Sequence, residues 1–149
     1  MKLKFKTTTK TIVSAGKQSG SVLLEALIAI LIFSLGILAI VGMQASAVKA
    51  STDAKFRSDA SMLANQLIGQ MWVSNRTLAT LQTFTGGAGS DGAGYTTWLA
   101  DVQAALPGTA SAPPVVALNP ANNQVTIQVF WISPGEVSAH QYVVVAQVI

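Results

Sequence analysis

Residues 17–43 read KQSGSVLLEALIAILIFSLGILAIVGM, and the fold turns on how this stretch is interpreted. From Val22 to Met43 the only charge is Glu25, and the next does not come until Lys49. About 20 apolar residues carry a helix across a hydrocarbon core, so the run is long enough to span a membrane. Its spanning side chains are Val22, Leu23, Leu24, Ala26, Leu27, Ile28, Ile30, Leu31, Ile32, Phe33, Leu35, Ile37, Leu38, Ile40 and Val41. Fourteen of them are Leu, Ile, Val or Phe. At about −0.3 to −0.6 kcal/mol each, these outweigh one carboxylate, even at the roughly +3 kcal/mol of a mid-membrane position. Glu25 lies near one end, where the cost is smaller.

Charge falls unevenly on either side of this run. Lys2, Lys4, Lys6, Lys10 and Lys17 supply five of the nine basic residues, with no acid among them. By the positive-inside rule the lysine-rich segment stays cytoplasmic and the chain beyond Met43 faces outward. After Gly20, four basic side chains (Lys49, Lys55, Arg57, Arg76) stand against six acidic ones (Glu25, Asp53, Asp59, Asp91, Asp101, Glu136), a net charge of −2. The formal charge of +3 therefore belongs to the N-terminal extension. A nucleic-acid binder carries its positive patch on the folded body, so no nucleic-acid partner is expected. Half of the 149 residues are hydrophobic and 10% are charged, against about a quarter charged in ordinary soluble domains. Without a cysteine there is neither a disulfide framework nor a thiolate metal site.

A carboxylate inside an intramembrane helix calls for a partner or a function. Its surroundings, Lys17-Gln-Ser-Gly20-Ser21-Val-Leu-Leu-Glu25, resemble the type III signal of type IV prepilins and type II secretion pseudopilins. In that superfamily a prepilin peptidase cuts after a Gly that ends a basic leader. The new N-terminus is then methylated, and the fifth mature residue is Glu. The resemblance implies cleavage between Gly20 and Ser21, N-methylation of Ser21, and an assembly ion pair between Glu25 and a neighbouring subunit's terminal ammonium. Two opposite charges in an apolar filament core compensate one another's desolvation, and one axial stagger alone brings them together. Gly20 offers no side chain to obstruct a protease. Ser21 replaces the Phe with which family members usually begin, and the helix-bending Pro of many major pilins is absent; Gly42 stands in that neighbourhood as a flexible point. These departures favour a minor subunit.

The implied organisation is a cleaved basic leader over 1–20, a transmembrane or filament-core helix over 21–45, and an extracytoplasmic head over 46–149. Its implied location is a bacterial inner membrane, crossed once, and then a pilus or its base. Implied partners are membrane lipid, prepilin peptidase, other minor and major pilins, and an inner-membrane assembly platform. Two alternatives leave Gly20 uncut: a single-pass anchored binding protein, and a secreted protein cleaved at the A-x-A-like Ala45-Ser46-Ala47. Secretory signals have shorter apolar cores of about 7–15 residues.

Helical periodicity continues beyond the apolar run. Val48, Thr52, Phe56, Ala60, Leu63, Leu67 and Met71 make a semi-apolar stripe, and Asp53–Arg57 and Lys55–Asp59 are i,i+4 pairs for solvated faces. No Pro occurs from Ser21 to Asn75, which predicts one helix of roughly fifty residues. Residues 86–94 (GGAGSDGAG) form a flexible loop by composition. They contain a G-x-G-x-x-G match, but neither a preceding strand nor a βαβ unit supports a nucleotide site. Asp91 alone makes no calcium site.

Residues 95–106 predict a short helix with Trp98, Leu99, Val102 and Leu106 on one side, stopped by Pro107-Gly108. Strand patterns follow at 115–118, 124–132 and 141–149, the second placing Val125, Ile127, Val129 and Trp131 on one face. The expected fold is α+β: a long N-terminal helix, its second half packed against a three-stranded antiparallel sheet. This arrangement also resembles minor pilins of the PilV type, and the small size resembles GspI-type pseudopilins. An enzyme requires a site, and neither the single histidine, His140, nor the scattered acids provide one. No catalysis, cofactor or metal is expected, and His140 is expected at a loop or strand edge.

Overall fold

A computed structural model describes residues 19–148, so the basic segment and Ile149 lie outside the described residues. Helix α1 spans Ser19–Val73, a little longer than expected, and passes through Gly42 without interruption. Two of its hydroxyls turn back onto the helix: Ser34 Oγ donates to the Ile30 carbonyl at 2.7 Å, and Thr52 Oγ1 to that of Val48 at 2.9 Å. The chain divides into two units, residues 1–44 and 45–149.

In the first unit, the apolar side chains of α1 are left uncovered by the other described residues. The large ones from Val22 to Val41 are 46–69% exposed. Burying apolar surface contributes about 25 cal/mol per Å², so a row of this size requires a non-aqueous surround. This helix is long and apolar enough to cross a membrane.

The second unit has its own core. From α1 it takes Ala60, Leu63, Ala64, Leu67 and Met71, with Phe56 and Ile68 packed at the edge. The periodic stripe thus becomes the buried face from Phe56 onward, whereas Val48 is exposed. A short helix not foreseen in the sequence, α2 (Leu78–Gln82), begins at Thr77, whose hydroxyl accepts from the Thr80 N–H. Helix α3 covers Ala93–Ala105 and stops ahead of Pro107 as expected. It buries Tyr95, Trp98 and Val102; Leu99 is only partly covered, and Tyr95 takes a central place that periodicity alone had not assigned it.

Three strands complete the α+β fold: β1 (Val115–Asn119), β2 (Gln124–Trp131) and β3 (His140–Gln147). They form one antiparallel sheet in the order β1-β2-β3. Alternation along β2 is realised fully, with Val125, Ile127, Val129 and Trp131 all buried. The register sets Ile127 opposite Val116 and Val144, and Trp131 opposite His140.

The glycine-rich segment is not the loose loop its composition suggests. Gly86 is buried and bridges Val116 with N···O distances of 3.2 and 3.0 Å in the two directions. A Cβ there would lie 2.4 Å from the Tyr95 ring, so only glycine permits this approach. Asp91 closes the segment on itself, its Oδ1 accepting the Gly87 N–H at 2.8 Å.

Candidate functional site

The sequence-derived site lies at the start of α1. Gly20 and Ser21 are both helical and exposed, and a Cβ at Gly20 would meet nothing within 4 Å. Glu25 is exposed one turn further on, and among the described residues nothing pairs with it. With Ser21, Leu24, Ile28, Ala29 and Ile32 it lines a shallow groove along one side of the helix. Among the described residues no cation compensates this carboxylate, which is set among uncovered Leu and Ile side chains.

A second constellation, in the 45–149 unit, was not apparent in the sequence. It begins with a turn. Pro134 and Gly135 occupy the central positions of a β-turn in which the Glu136 N–H donates to the Ser133 carbonyl at 3.0 Å. Gly135 has φ of +86°, as the third residue of a type II turn requires. The turn presents Ser133 and Glu136 toward α1. Ser133, buried, donates its hydroxyl to Asp53 Oδ1 at 2.6 Å. Glu136 accepts from Lys49 through Oε1 at 2.7 Å, and its Oε2 meets Nε2 of His140 in a short contact.

His140, the first residue of β3, is held in turn. Its ring stacks on Trp131, centroids 5.6 Å apart and planes 16° apart, because the two residues oppose each other in the β2–β3 register. His140 is therefore at a strand edge as expected, but it is part of a cluster. Two of the six acids are brought together as well: Asp53 and Glu136, with His140, offer donor atoms all within 4.8 Å of one another. The expected Asp53–Arg57 pair gives way to Asp53–Ser133, while Lys55–Asp59 forms as expected at 3.1 Å.

Electrostatics follow the geometry. The Lys49 ammonium, and then His140, hold the Glu136 carboxyl below the usual carboxylate range, and Glu136 raises Lys49. Beside the cluster lies a cavity of about 290 Å³ lined by Asp53, Ala54, Arg57, Trp131, His140 and Gln141. Trp131 is 3% exposed, and its indole N–H has no acceptor among the described residues. Sequence patterns do not group these residues, because Asp53 and Ser133 are 80 positions apart. A local signal did exist: a Pro-Gly turn followed by Glu136 and His140 at four-residue spacing.

The described residues form an α+β protein whose long N-terminal helix has an uncovered apolar segment of membrane-spanning length. Comparisons with protein-family models, curated proteins and solved structures found no match to the chain.

Proposed function

We propose that the chain is a minor type IV pilin-like subunit, cut by prepilin peptidase between Gly20 and Ser21 and assembled into a filament. The observation that carries this reading is Glu25: the one carboxylate of an apolar, uncovered helix segment, five residues beyond Gly20, with no partner among the described residues. Filament packing supplies both things the segment lacks, neighbouring apolar helices and a terminal ammonium. Before assembly, membrane lipid covers the same surface. The α+β head, with its helix stripe packed on an antiparallel sheet, suits a subunit presented outside the membrane. A pseudopilin of a type II secretion system shares these features and is the alternative within the same superfamily.

The test is the N-terminal sequence and mass of the protein from cells with and without prepilin peptidase. Peptidase-dependent cleavage to a chain that begins at Ser21 and is heavier by one methyl group is the expected result. An uncut chain in both strains would make the protein a plain single-pass anchor. A start after Ala47 would make it a secreted protein. Either would end the filament reading.

A further inference from the structure

We propose that Asp53, Glu136 and His140 form a binding site for a divalent transition-metal ion of the zinc type. Three features support it. First, the donor set is mixed, one imidazole nitrogen and two carboxylate oxygens, and comes from three separate segments: α1, the β2–β3 turn and β3. Zinc and its neighbours accept this combination, with a water in the remaining position. Calcium and magnesium prefer larger all-oxygen shells. The three donor atoms lie within 4.8 Å of one another, so side-chain adjustments on the order of 1 Å bring them to the roughly 2.0–2.2 Å ligand distances of zinc.

Second, each donor is already oriented by another residue. The Ser133 hydroxyl fixes Asp53 through Oδ1, leaving Oδ2 available. Lys49 holds Glu136 through Oε1, leaving Oε2 toward Nε2 of His140. Trp131 fixes the imidazole plane by stacking. Outer partners of this kind are what metal ligands require. Third, the cavity beside Asp53 and His140 provides access, and Trp131, which also lines it, has a buried N–H that no acceptor among the described residues satisfies and that a metal-bound water would meet. Of the two cations nearby, Lys49 stays paired with Oε1 of Glu136, and Arg57 is exposed at the end of a long side chain that reaches water. A bound ion would tie the β2–β3 turn to α1 more firmly than the Lys49–Glu136 pair does.

The experiment uses the full chain without a histidine tag, in detergent and freed of metal by a chelator. Zn²⁺ alone is titrated calorimetrically and its effect on the thermal unfolding midpoint is recorded. One ion per chain and a raised midpoint are expected. Ser133→Ala, which removes only an orienting partner, should weaken binding about tenfold or more. His140→Ala and Asp53→Asn should weaken it further, whereas Asp59→Asn should leave it unchanged. Absence of binding, or binding undiminished in both His140→Ala and Asp53→Asn, would overturn the proposal. Should those variants fail to fold, X-ray absorption at the zinc edge of the loaded wild-type chain decides. The protein has one histidine and no cysteine, so an imidazole in the shell identifies His140, and an all-oxygen shell overturns the site.

Discussion

Trp98 of α3 donates its indole N–H to the main-chain carbonyl of Leu63 in α1, at 2.9 Å, with both residues buried. The bond fixes α3 against the buried stretch of the α1 stripe. A tryptophan in that place contributes both area and a polar anchor, which no aliphatic residue supplies. Trp98→Phe should therefore lose the bond and leave a cavity, destabilising the 45–149 unit by about 2–4 kcal/mol. Denaturant unfolding followed by near-ultraviolet circular dichroism checks it.

Two glycines of the 86–94 segment should respond unequally. Gly86→Ala forces a methyl group to 2.4 Å from the Tyr95 ring, and overpacking of this kind costs about 1–3 kcal/mol. At Gly89 an added Cβ meets nothing within 4 Å, so Gly89→Ala should change stability by less than about 0.5 kcal/mol. The pair of unfolding midpoints, compared under one condition, reports whether the segment is packed or loose.

Tyr95 should make the 45–149 unit sensitive to alkali. Its hydroxyl donates to the Pro114 carbonyl at 2.6 Å in a buried site. Burial, and then the nearby Asp91, raise its pKa above the ordinary value near 10. A raised pKa in the folded state means that the unfolded chain releases this proton first. The contribution is thus complete below pH of about 10 and declines as pH rises through the folded-state value. Tyr95→Phe should cost about 1–3 kcal/mol near neutrality through the orphaned Pro114 carbonyl. The gap between wild type and variant should then narrow above pH of about 10. A gap that stays constant to pH 11 would mean that the phenol is not held back by its surroundings.

On the filament reading, Glu25→Ala should leave the chain in the membrane at its normal level, since it removes the one charge from an apolar run. Its recovery in sheared filaments should fall sharply. Quantifying the protein in membrane and filament fractions separates the two effects. Undiminished incorporation would deny Glu25 any part in assembly.

Much of this protein is legible along the chain, for reasons that operate over a few residues. The uncovered segment of α1 is apparent because hydrophobicity there is continuous and only one charge interrupts it. The stripe Phe56, Ala60, Leu63, Leu67, Met71 follows from a period of 3.6, and the buried face of β2 from a period of 2. Pro107-Gly108 ends α3 because proline cannot continue a helix. Only the tertiary structure decided the remainder. It closed a glycine-rich segment around Tyr95, since the close approach of Gly86 to an aromatic ring depends on where α3 docks. It also brought Asp53 to Ser133 and, through a type II turn, Glu136 to Lys49 and His140. Those groups are some 80 to 90 positions apart in part, and no local period records a contact of that range. Periodicity specifies which face of an element is buried, whereas the packing of α1 on the sheet specifies which charges meet at its margin.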